Sequence, residues 1–598
     1  MKLRTWQRAT APERWPLFCV ALFMIGFLMA TIIPSFQAPD EFDHSARAYM
    51  LSRGQVILDS VDGSPSGGQV DEGLLDYMRH FTSIKGNANR KISAAERNAA
   101  SGIPWSGHTS FVTAVGTAYY FPILYIPEAI GLAIGEATGL SVETSYRLSR
   151  YFALGTCFAL LLAAFRLFPP PTLVLALLAL PMNLFLLSSA VLDGIATCAT
   201  IFVLSVFMRF LSDRESASKR ALYMVALGVA FVAACRANLL PLLLLPFAMW
   251  WLQRTRTALI TAVVTTAFVL GWTIFTIDST VYPAGLRNID HGARLIAYLV
   301  HPWEFGRIVL ATISDRALVH FYFISFIGVL GWLDAAFSPA IYKVVAGALV
   351  AIAILSFSQR NVESDRPMRG ILALCAVAAV LLTFLAMLVQ WTVGPSTTVD
   401  GIQGRYFMIP AVIVAYALFG HTSPLNGVAE KCRVALTFLL LTFCTYVSMQ
   451  LLVTRYYTAA TQPVADKVPA LSPSDPLTKE KPVVLHFAAS QIALPRELDQ
   501  LGLRFGTYMS SHPGRAALVL RTNSGETLRV PFELSDLADN AYKQFTLDGK
   551  RYISGEIISE GGQGVSTYQV HLDGSVVECM QTRSRDGGVE ITTGCTMP

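Results

Sequence analysis

Three short segments of this chain carry side chains that could do chemistry at a membrane boundary. The run Ala38-Pro-Asp-Glu-Phe-Asp-His44 places three carboxylates and an imidazole directly after an apolar stretch. On a helix beginning near Pro39, Asp40 and His44 are four residues apart and Glu41 and His44 three, so one face presents a carboxylate beside an imidazole, a pairing suited to proton transfer. The same letters suit the first turn of a helix, where proline and acidic residues are favoured, and both readings stay open from the residues alone. Asp193, in Ser188-Ser-Ala-Val-Leu-Asp-Gly194, is a second acid at the mouth of an apolar run. Unpaired in hydrocarbon it is costly, so it must reach water, a cation or a functional partner, or else lie in a solvated loop. The third segment is Asp400-Gly-Ile-Gln-Gly-Arg-Tyr-Phe407. Its glycines flank Ile402 and Gln403 and leave Arg405, with Tyr406 beside it, free to aim a planar fork of donors at a phosphate. Snorkelling to lipid headgroups is the alternative for Arg405, and Arg236 and Arg150 invite the same two readings. Asp40 and Asp193 are the acids that could hold a divalent metal. No CxxC pair or His-Cys cluster with zinc spacing occurs.

The elements that must position these groups are membrane helices. Of 598 residues, 53% are hydrophobic and 15% charged, and the mean hydropathy is +0.48, which excludes a single water-soluble core. Apolar stretches of about 20 residues recur, each able to cross the hydrocarbon layer. A net charge of +5 with no basic run alternating with aromatics excludes a nucleic-acid partner. The first span reads as 15–36. Lys2, Arg4, Arg8 and Arg14 before it put the N-terminus in the cytoplasm and residues 37–118 outside. Further spans are expected near 145–168, 172–190, 195–211, 221–235, 238–252, 257–277, 339–358, 370–392, 406–420 and 434–453, about eleven crossings in all. The apolar stretches 119–138 and 317–334 are read as re-entrant or interfacial helices on the outer side. If both crossed, Arg209, Arg214, Lys219, Arg220, Arg254 and Arg256 would face outward against the charge bias. Arg360, Arg366, Arg369, Lys431 and Arg433 agree with this threading.

An odd number of crossings sends the C-terminus outside. The transmembrane part is expected over 1–454, followed by a polar linker over 455–480. Beyond it, over 481–598, short alternating runs separated by Asn523-Ser-Gly525, Asp548-Gly549 and Asp573-Gly574 predict an all-β sandwich. Cys579 and Cys595 are the only cysteines after the last span, and in an oxidising compartment their spacing predicts a disulfide.

Pro39-Asp40-Glu41 with His44 and Ala48-Tyr49, Gly328-Val-Leu-Gly-Trp-Leu-Asp334, and Gly401-Ile-Gln-Gly-Arg-Tyr-Phe407 resemble the signatures of the domain of unknown function family 2142, bacterial polytopic membrane proteins. The resemblance covers about residues 15–453. That family in turn resembles the GT-C glycosyltransferases, in which a carboxylate of the first outer loop serves the acceptor or a metal and a polyprenyl-phosphate sugar is the usual donor. The chain departs from the family pattern at Phe42 and Asp43, where proline and a small residue are common, which leaves open whether Asp43 shares the work of Asp40. Phe505-Gly-Thr-Tyr508 and Leu537-Ala-Asp-Asn-Ala-Tyr542 resemble jelly-roll modules appended to cell-surface polysaccharide enzymes.

The expectation is therefore a GT-C-like membrane glycosyltransferase at the outer face of a bacterial inner membrane, moving a sugar from a polyprenyl phosphate to an envelope glycan or lipid-linked acceptor. Asp40 is expected as general base, shared with Glu41 and flanked by His44, with Arg405 on the leaving phosphate and Arg236 as second cation. A transporter or flippase of lipid-linked glycans, or a structural assembly factor, are the competing readings. A transporter needs sites near the bilayer midplane and often internal repeats.

Overall fold

Helix boundaries in the apolar part follow proline and capping chemistry. Pro16 starts the first helix, α1 (Trp15–Ile32), and the residues just before Pro34 leave the helical conformation, as a residue preceding proline must. The computed structural model of the chain describes residues 14–61, 65–86, 90–114, 116–212, 219–281, 291–357, 366–392, 397–418, 427–458, 470–487, 497–507, 512–572, 575–584, 589–592 and 595. Lys2, Arg4, Arg8, Arg214, Arg360, the Asp573-Gly574 turn and much of the linker lie outside the described residues.

After α1 come α2 (Glu41–Ser52), α3 (Glu72–Thr82) and α4 (Ala94–Ser101), with strands β1 (Gly67–Asp71) and β2 (Thr109–Thr113) paired antiparallel between them. These elements, together with α5 (Ile126–Ala137), form a cap over one end of a helical bundle. The bundle continues through α6 (Val142–Leu167), α7 (Thr172–Leu178), α8 (Pro181–Leu187), α9 (Leu192–Ser212), α10 (Lys219–Cys235), α11 (Leu244–Gln253) and α12 (Arg256–Ser279). Apolar helices then run over Pro339–Ser356, Arg366–Gln390, Met408–Leu418 and Gly427–Tyr456.

Among the described residues, seven helices are long and apolar enough to cross a membrane, or eight if the bent pair Pro302–Ser314 and Arg316–Ile327 makes one broken span. Four expected crossings take shorter or interrupted forms. The stretch 172–190 is split into α7 and α8, because Pro181 cannot continue the preceding turn. The stretch 238–252 opens as a 3-10 turn around Pro241 before α11. The stretch 406–420 opens with the 3-10 turn Gly404–Phe407, and α10 is 17 residues long. The stretch 119–138 becomes the 12-residue α5 behind a 3-10 turn. The stretch 317–334 becomes a helix meeting its predecessor at 75° and then a hairpin of β3 (Val329–Leu330) and β4 (Ala335–Ala336).

The cap and the end of the last helix share one end of the bundle. Tyr457 Oη donates to the Ile32 carbonyl at 2.6 Å, the Ile92 amide donates to Tyr456 O, and Lys91 Nζ donates to the carbonyls of Thr454 and Arg455. At the far end Trp15 packs on Phe165, and Arg369 donates to the carbonyls of Tyr416 and Ala417. Arg254, Arg256, Lys431 and Arg433 also sit at helix ends on that side.

The C-terminal region is a two-sheet β structure. Its strands are β5 (Ala470–Pro473), β6 (Val483–Leu485), β7 (Leu498–Gly506), β8 (Arg515–Thr522), β9 (Thr527–Glu533), β10 (Ala541–Thr546), β11 (Tyr552–Glu560), β12 (Ser566–Leu572), β13 (Ser575–Glu578), β14 (Met580–Ser584) and β15 (Val589–Ile591). One sheet runs β13-β12-β7-β14-β15, with β10 also on β7 and β5 on β12; the other runs β6-β11-β8-β9. Leu501, Leu503, Phe505 and Phe545 of the first sheet meet Leu518, Leu520, Phe532 and Ile557 of the second in one buried core. Inward residues alternate along β8 and β11, as facing sheets require. Gly525 and Gly549 take positive φ in the turns expected of them. Cys579 and Cys595 are joined by a disulfide.

Closing a loop between residues 16 apart restricts the unfolded chain by roughly 3 kcal/mol. Cys579→Ser should therefore lower the unfolding free energy of the C-terminal region by about that amount in urea melts followed at the β-sheet signal. An unchanged midpoint would mean that the bridge stabilises nothing.

Candidate active site at the head of the second helix

The approach to α2 is fixed before its first helical residue. Asp40 occupies the N-cap position in the left-handed region, with φ 64° and ψ 7°, a conformation that costs a non-glycine residue energy and persists only where the surroundings enforce it. Its side chain makes no capping hydrogen bond. Glu41, the next residue, is fully buried. Its Oε1 accepts from Tyr146 Oη at 2.7 Å, from Arg150 Nε at 3.1 Å and from the Ala190 amide at 2.7 Å, and its Oε2 accepts from the Ala38 amide at 3.0 Å. Arg150 is equally committed. Nη1 donates to the carbonyls of Ala30 and Ile33, and Nη2 to Pro34 O and Glu41. All five guanidinium hydrogens are spent, so Arg150 has none for a phosphate, and the enclosed Glu41 carboxylate cannot meet an acceptor. Both expectations are corrected by burial: the pair ties α1, α2, α6 and the start of α9 together.

The positive φ turns Asp40 away from that knot and towards Arg405. Arg405 Nη2 donates to Asp40 Oδ2 at 2.6 Å, and Nη1 lies 3.6 Å from Asp193 Oδ2. Arg236 Nη2 reaches Asp193 Oδ1 at 2.7 Å. Two carboxylates and two guanidiniums thus alternate in a chain, Asp40, Arg405, Asp193, Arg236. Three are largely buried, whereas the Asp40 side chain is 48% exposed. The glycines of the Arg405 segment explain how it gets there. Gly401 takes φ 74°, and a Cβ at Gly404 would lie 2.1 Å from the Phe326 amide nitrogen, so only glycine lets the turn press against the Arg316–Ile327 helix. Arg405 stands 5.2 Å from the Tyr406 ring centroid and Arg236 5.8 Å from that of Tyr120. Among the described residues, Nε of Arg405, Nε of Arg236 and Oε1 of Gln403 are buried without a hydrogen-bond partner.

His44 and Tyr125 are hydrogen-bonded, Nδ1 to Oη, at 2.6 Å. Burial lowers the imidazole pKa to about 4 against the pull of Asp40 and Asp193, so His44 is neutral at neutral pH. Desolvation works to raise Asp40, but the Arg405 guanidinium above all holds it below the usual carboxylate range. Asp43 goes the other way: desolvation and the Asp40 charge lift it to about 7, Asp539 of the C-terminal region adds to the rise, and Lys85 opposes it. Lys85 lies over the Trp332 ring at 3.7 Å. The β3–β4 hairpin presents Trp332 with its Nε1 donating to Phe36 O, and the Gly328–Asp334 segment is anchored by Arg455, whose Nε donates to Asp334 at 3.1 Å.

The fold thus brings together Asp40, His44, Asp193, Arg236, Arg405 and Tyr406, leaves Gln403 beside them in sequence with no side-chain hydrogen bond to the cluster among the described residues, and sets Glu41 and Arg150 apart as a structural pair. Sequence reasoning missed Lys85, Trp332 and Tyr125. Trp332 sits in the family-like Gly328–Asp334 run, whereas Lys85 stands in a polar loop with no local pattern to single it out. Asp40 and Asp193, the acids considered for a metal, are bridged by the Arg405 guanidinium, and among the described residues no group of three or more potential ligands occurs.

A polytopic helical membrane protein with a charged cluster at one end of its bundle is the class these observations define. The family model for DUF2142, described as a predicted membrane protein, matches residues 23–414, and the chain belongs to that family. No curated protein matches it. Among solved structures it is similar to the cryo-EM structure of the arabinosyltransferase EmbB from Mycobacterium smegmatis, at 11% identity and a TM-score of 0.26, over 86% of this chain and 64% of that one. The chain thus spans less than two thirds of that protein's length.

Breaking a buried ion pair on one side leaves the other charge stranded, at a cost of about 3–5 kcal/mol. Glu41→Gln should lower thermal stability accordingly, and the double variant Glu41→Gln with Arg150→Met should recover part of the loss. Equal melting of Glu41→Gln and wild type would remove the structural role assigned to the pair.

Proposed function

We propose that the protein is a GT-C-type membrane glycosyltransferase that moves a sugar from a polyprenyl phosphate to a hydroxyl of an envelope glycan or lipid-linked acceptor. One observation carries the reading: an ionised, half-exposed Asp40 in a strained backbone, gripped from behind by a buried arginine. The acceptor oxygen attacks the anomeric carbon, the bond from that carbon to the phosphate oxygen breaks with its electron pair leaving on the phosphate, and the acceptor proton passes to Asp40. Hydrogen bonding to a fixed carboxylate is the standard route for such a proton. Arg405 and Arg236 supply a preorganised positive field for the leaving phosphate. Asp40 and Asp193 balance their two charges, and Lys85, facing Asp43 and Asp40, stands at the same mouth with Trp332 as an apolar wall. Any divalent metal would enter at Asp40 and Asp193, in competition with Arg405.

The charged cluster lies where helices end, at Ile32, Leu192 and Cys235, and not at mid-span, which favours an enzyme over an alternating-access transporter. The helix ends at the opposite side carry Arg254, Arg256, Lys431 and Arg433, so the positive-inside bias supports a cytoplasmic far end and an outer-face site in the inner membrane.

Asp40→Asn should cut transfer by about 10²- to 10⁴-fold in a reconstituted assay with retained folding. Arg405→Lys, which keeps charge but loses the planar fork, should raise the donor KM. Wild-type turnover in Asp40→Asn together with a wild-type donor KM in Arg405→Lys would end the catalytic assignment.

Sidedness has its own test. Cysteines placed at exposed Ser101 and Ser524 should react with an impermeant maleimide in intact cells, whereas native Cys432, exposed near the far end, should react only after permeabilisation. The reverse pattern would put the site in the cytoplasm.

A further inference from the structure

A second charged site lies on the flank of the bundle, separate from the Asp40 cluster. A shallow, open hollow is lined by Thr31, Ser35, Arg97, Arg147, Arg150 and Tyr457, among others. Arg150 lies 2% exposed at its back, neutralised by Glu41. Arg147 at its rim is 47% exposed and shares Glu143 at 2.6 Å. Arg97, on α4, is exposed, and among the described residues its only charge-related contact is the Tyr457 ring, 5.3 Å away. Tyr457 is itself pinned to the end of α1 through Ile32 O. With Arg150 and Arg147 each facing one glutamate, the pocket keeps one positive charge in excess.

Its position gives the surplus a meaning. Leu17, Val20, Met24, Phe27 and Leu28 are exposed on α1, between 43% and 59%, at the spacing of one helical face. That stripe is the lipid-facing side of a membrane span, with Phe27 stacked on Tyr151 of α6 at 4.8 Å. It ends at Thr31, an exposed residue at the edge of the hollow, where α1 reaches the interface. An apolar track that ends at a basic, tyrosine-lined hollow is the arrangement a phospholipid needs: chains along the helix, phosphate among arginines, tyrosine at headgroup level.

We propose that this pocket holds the headgroup of an anionic phospholipid of the surrounding membrane, its phosphate between Arg97 and Arg147 and its acyl chains along the α1 stripe. The bound lipid lies against Arg150, the one member of the Arg150–Glu41 pair that lines the hollow, so it braces the knot that sets the head of α2. The site is independent of the glycosyltransferase reading, because it involves none of the residues of the Asp40 cluster.

The test is lipid retention by the full-length protein in detergent, measured by native mass spectrometry during titration with phosphatidylglycerol, phosphatidylcholine of the same chains, a polyprenyl phosphate, and inorganic phosphate. Phosphatidylglycerol should bind with one tight site, and phosphatidylcholine should not. Each basic residue near a headgroup contributes about 1 kcal/mol, so Arg97→Gln with Arg147→Gln should weaken that site about 10- to 30-fold. Arg79→Gln, at an exposed arginine of α3 that does not line the hollow and pairs with Asp76, should leave it unchanged. Thr31→Trp, which fills the pocket from α1 and keeps every charge, should abolish binding even if the arginine variants fold poorly. Wild-type retention in Thr31→Trp, equal competition by inorganic phosphate, or displacement by polyprenyl phosphate in preference to phosphatidylglycerol would each overturn the proposal.

Discussion

The Glu41–Arg150 pair is the constraint from which the rest of the cap is built. A buried ion pair pays a desolvation penalty that only complete hydrogen bonding offsets. Here the carboxylate takes Tyr146, the Ala38 and Ala190 amides and the guanidinium, while the guanidinium takes three carbonyls at the end of α1. Ala30 O is one of the orphans every helix leaves at its C-terminus and the other two follow directly after it, so one arginine terminates α1 and seats α2. With Glu41 pulled inward, its neighbour has one direction left, and the left-handed turn at Asp40 follows.

That division of labour between adjacent acids was the part of the site hidden in the sequence. Residue types and spacing singled out Asp40, His44, Asp193, Arg236 and Arg405, and the fold gathers all five. The same spacing grouped Glu41 with them, because adjacent acids on a regular helix look alike. Which of the two is buried depends on α6 and on Ala190, more than a hundred residues away. Arg150 was misread for the matching reason: an arginine near a span end looks the same whether it faces headgroups or a buried glutamate. Lys85 carried no signal, since its partners Trp332, Asp40 and Asp43 meet only in the folded chain.

Span positions were legible from hydropathy, because lipid demands the same composition of every crossing. Their continuity was less so. The prolines at 181 and 241 divide apolar runs that composition alone reads as whole, and the two short helices about Pro181 are almost wholly enclosed by neighbouring helices, where the freed backbone groups find partners. In the C-terminal region, alternation located the strands, but the pairing of β10 and β14 with β7 is a long-range choice that local pattern does not encode.

The last helix closes the cap. Arg455 holds Asp334 and donates to the carbonyls of Arg90 and Ile84, and Lys91 reaches back to Thr454 across 363 residues of chain. A polypeptide is made from its N-terminus, so the loop that carries Lys85 leaves the ribosome long before the helix that fastens it. Until Arg455 is inserted, the hairpin with Trp332 and the loop with Lys85 lack their shared anchor, and the mouth of the site has no fixed wall. Completion of the cluster is thereby deferred to the end of membrane insertion, and a chain that stalls earlier leaves the translocon unfinished at the one place where its charges must be aligned.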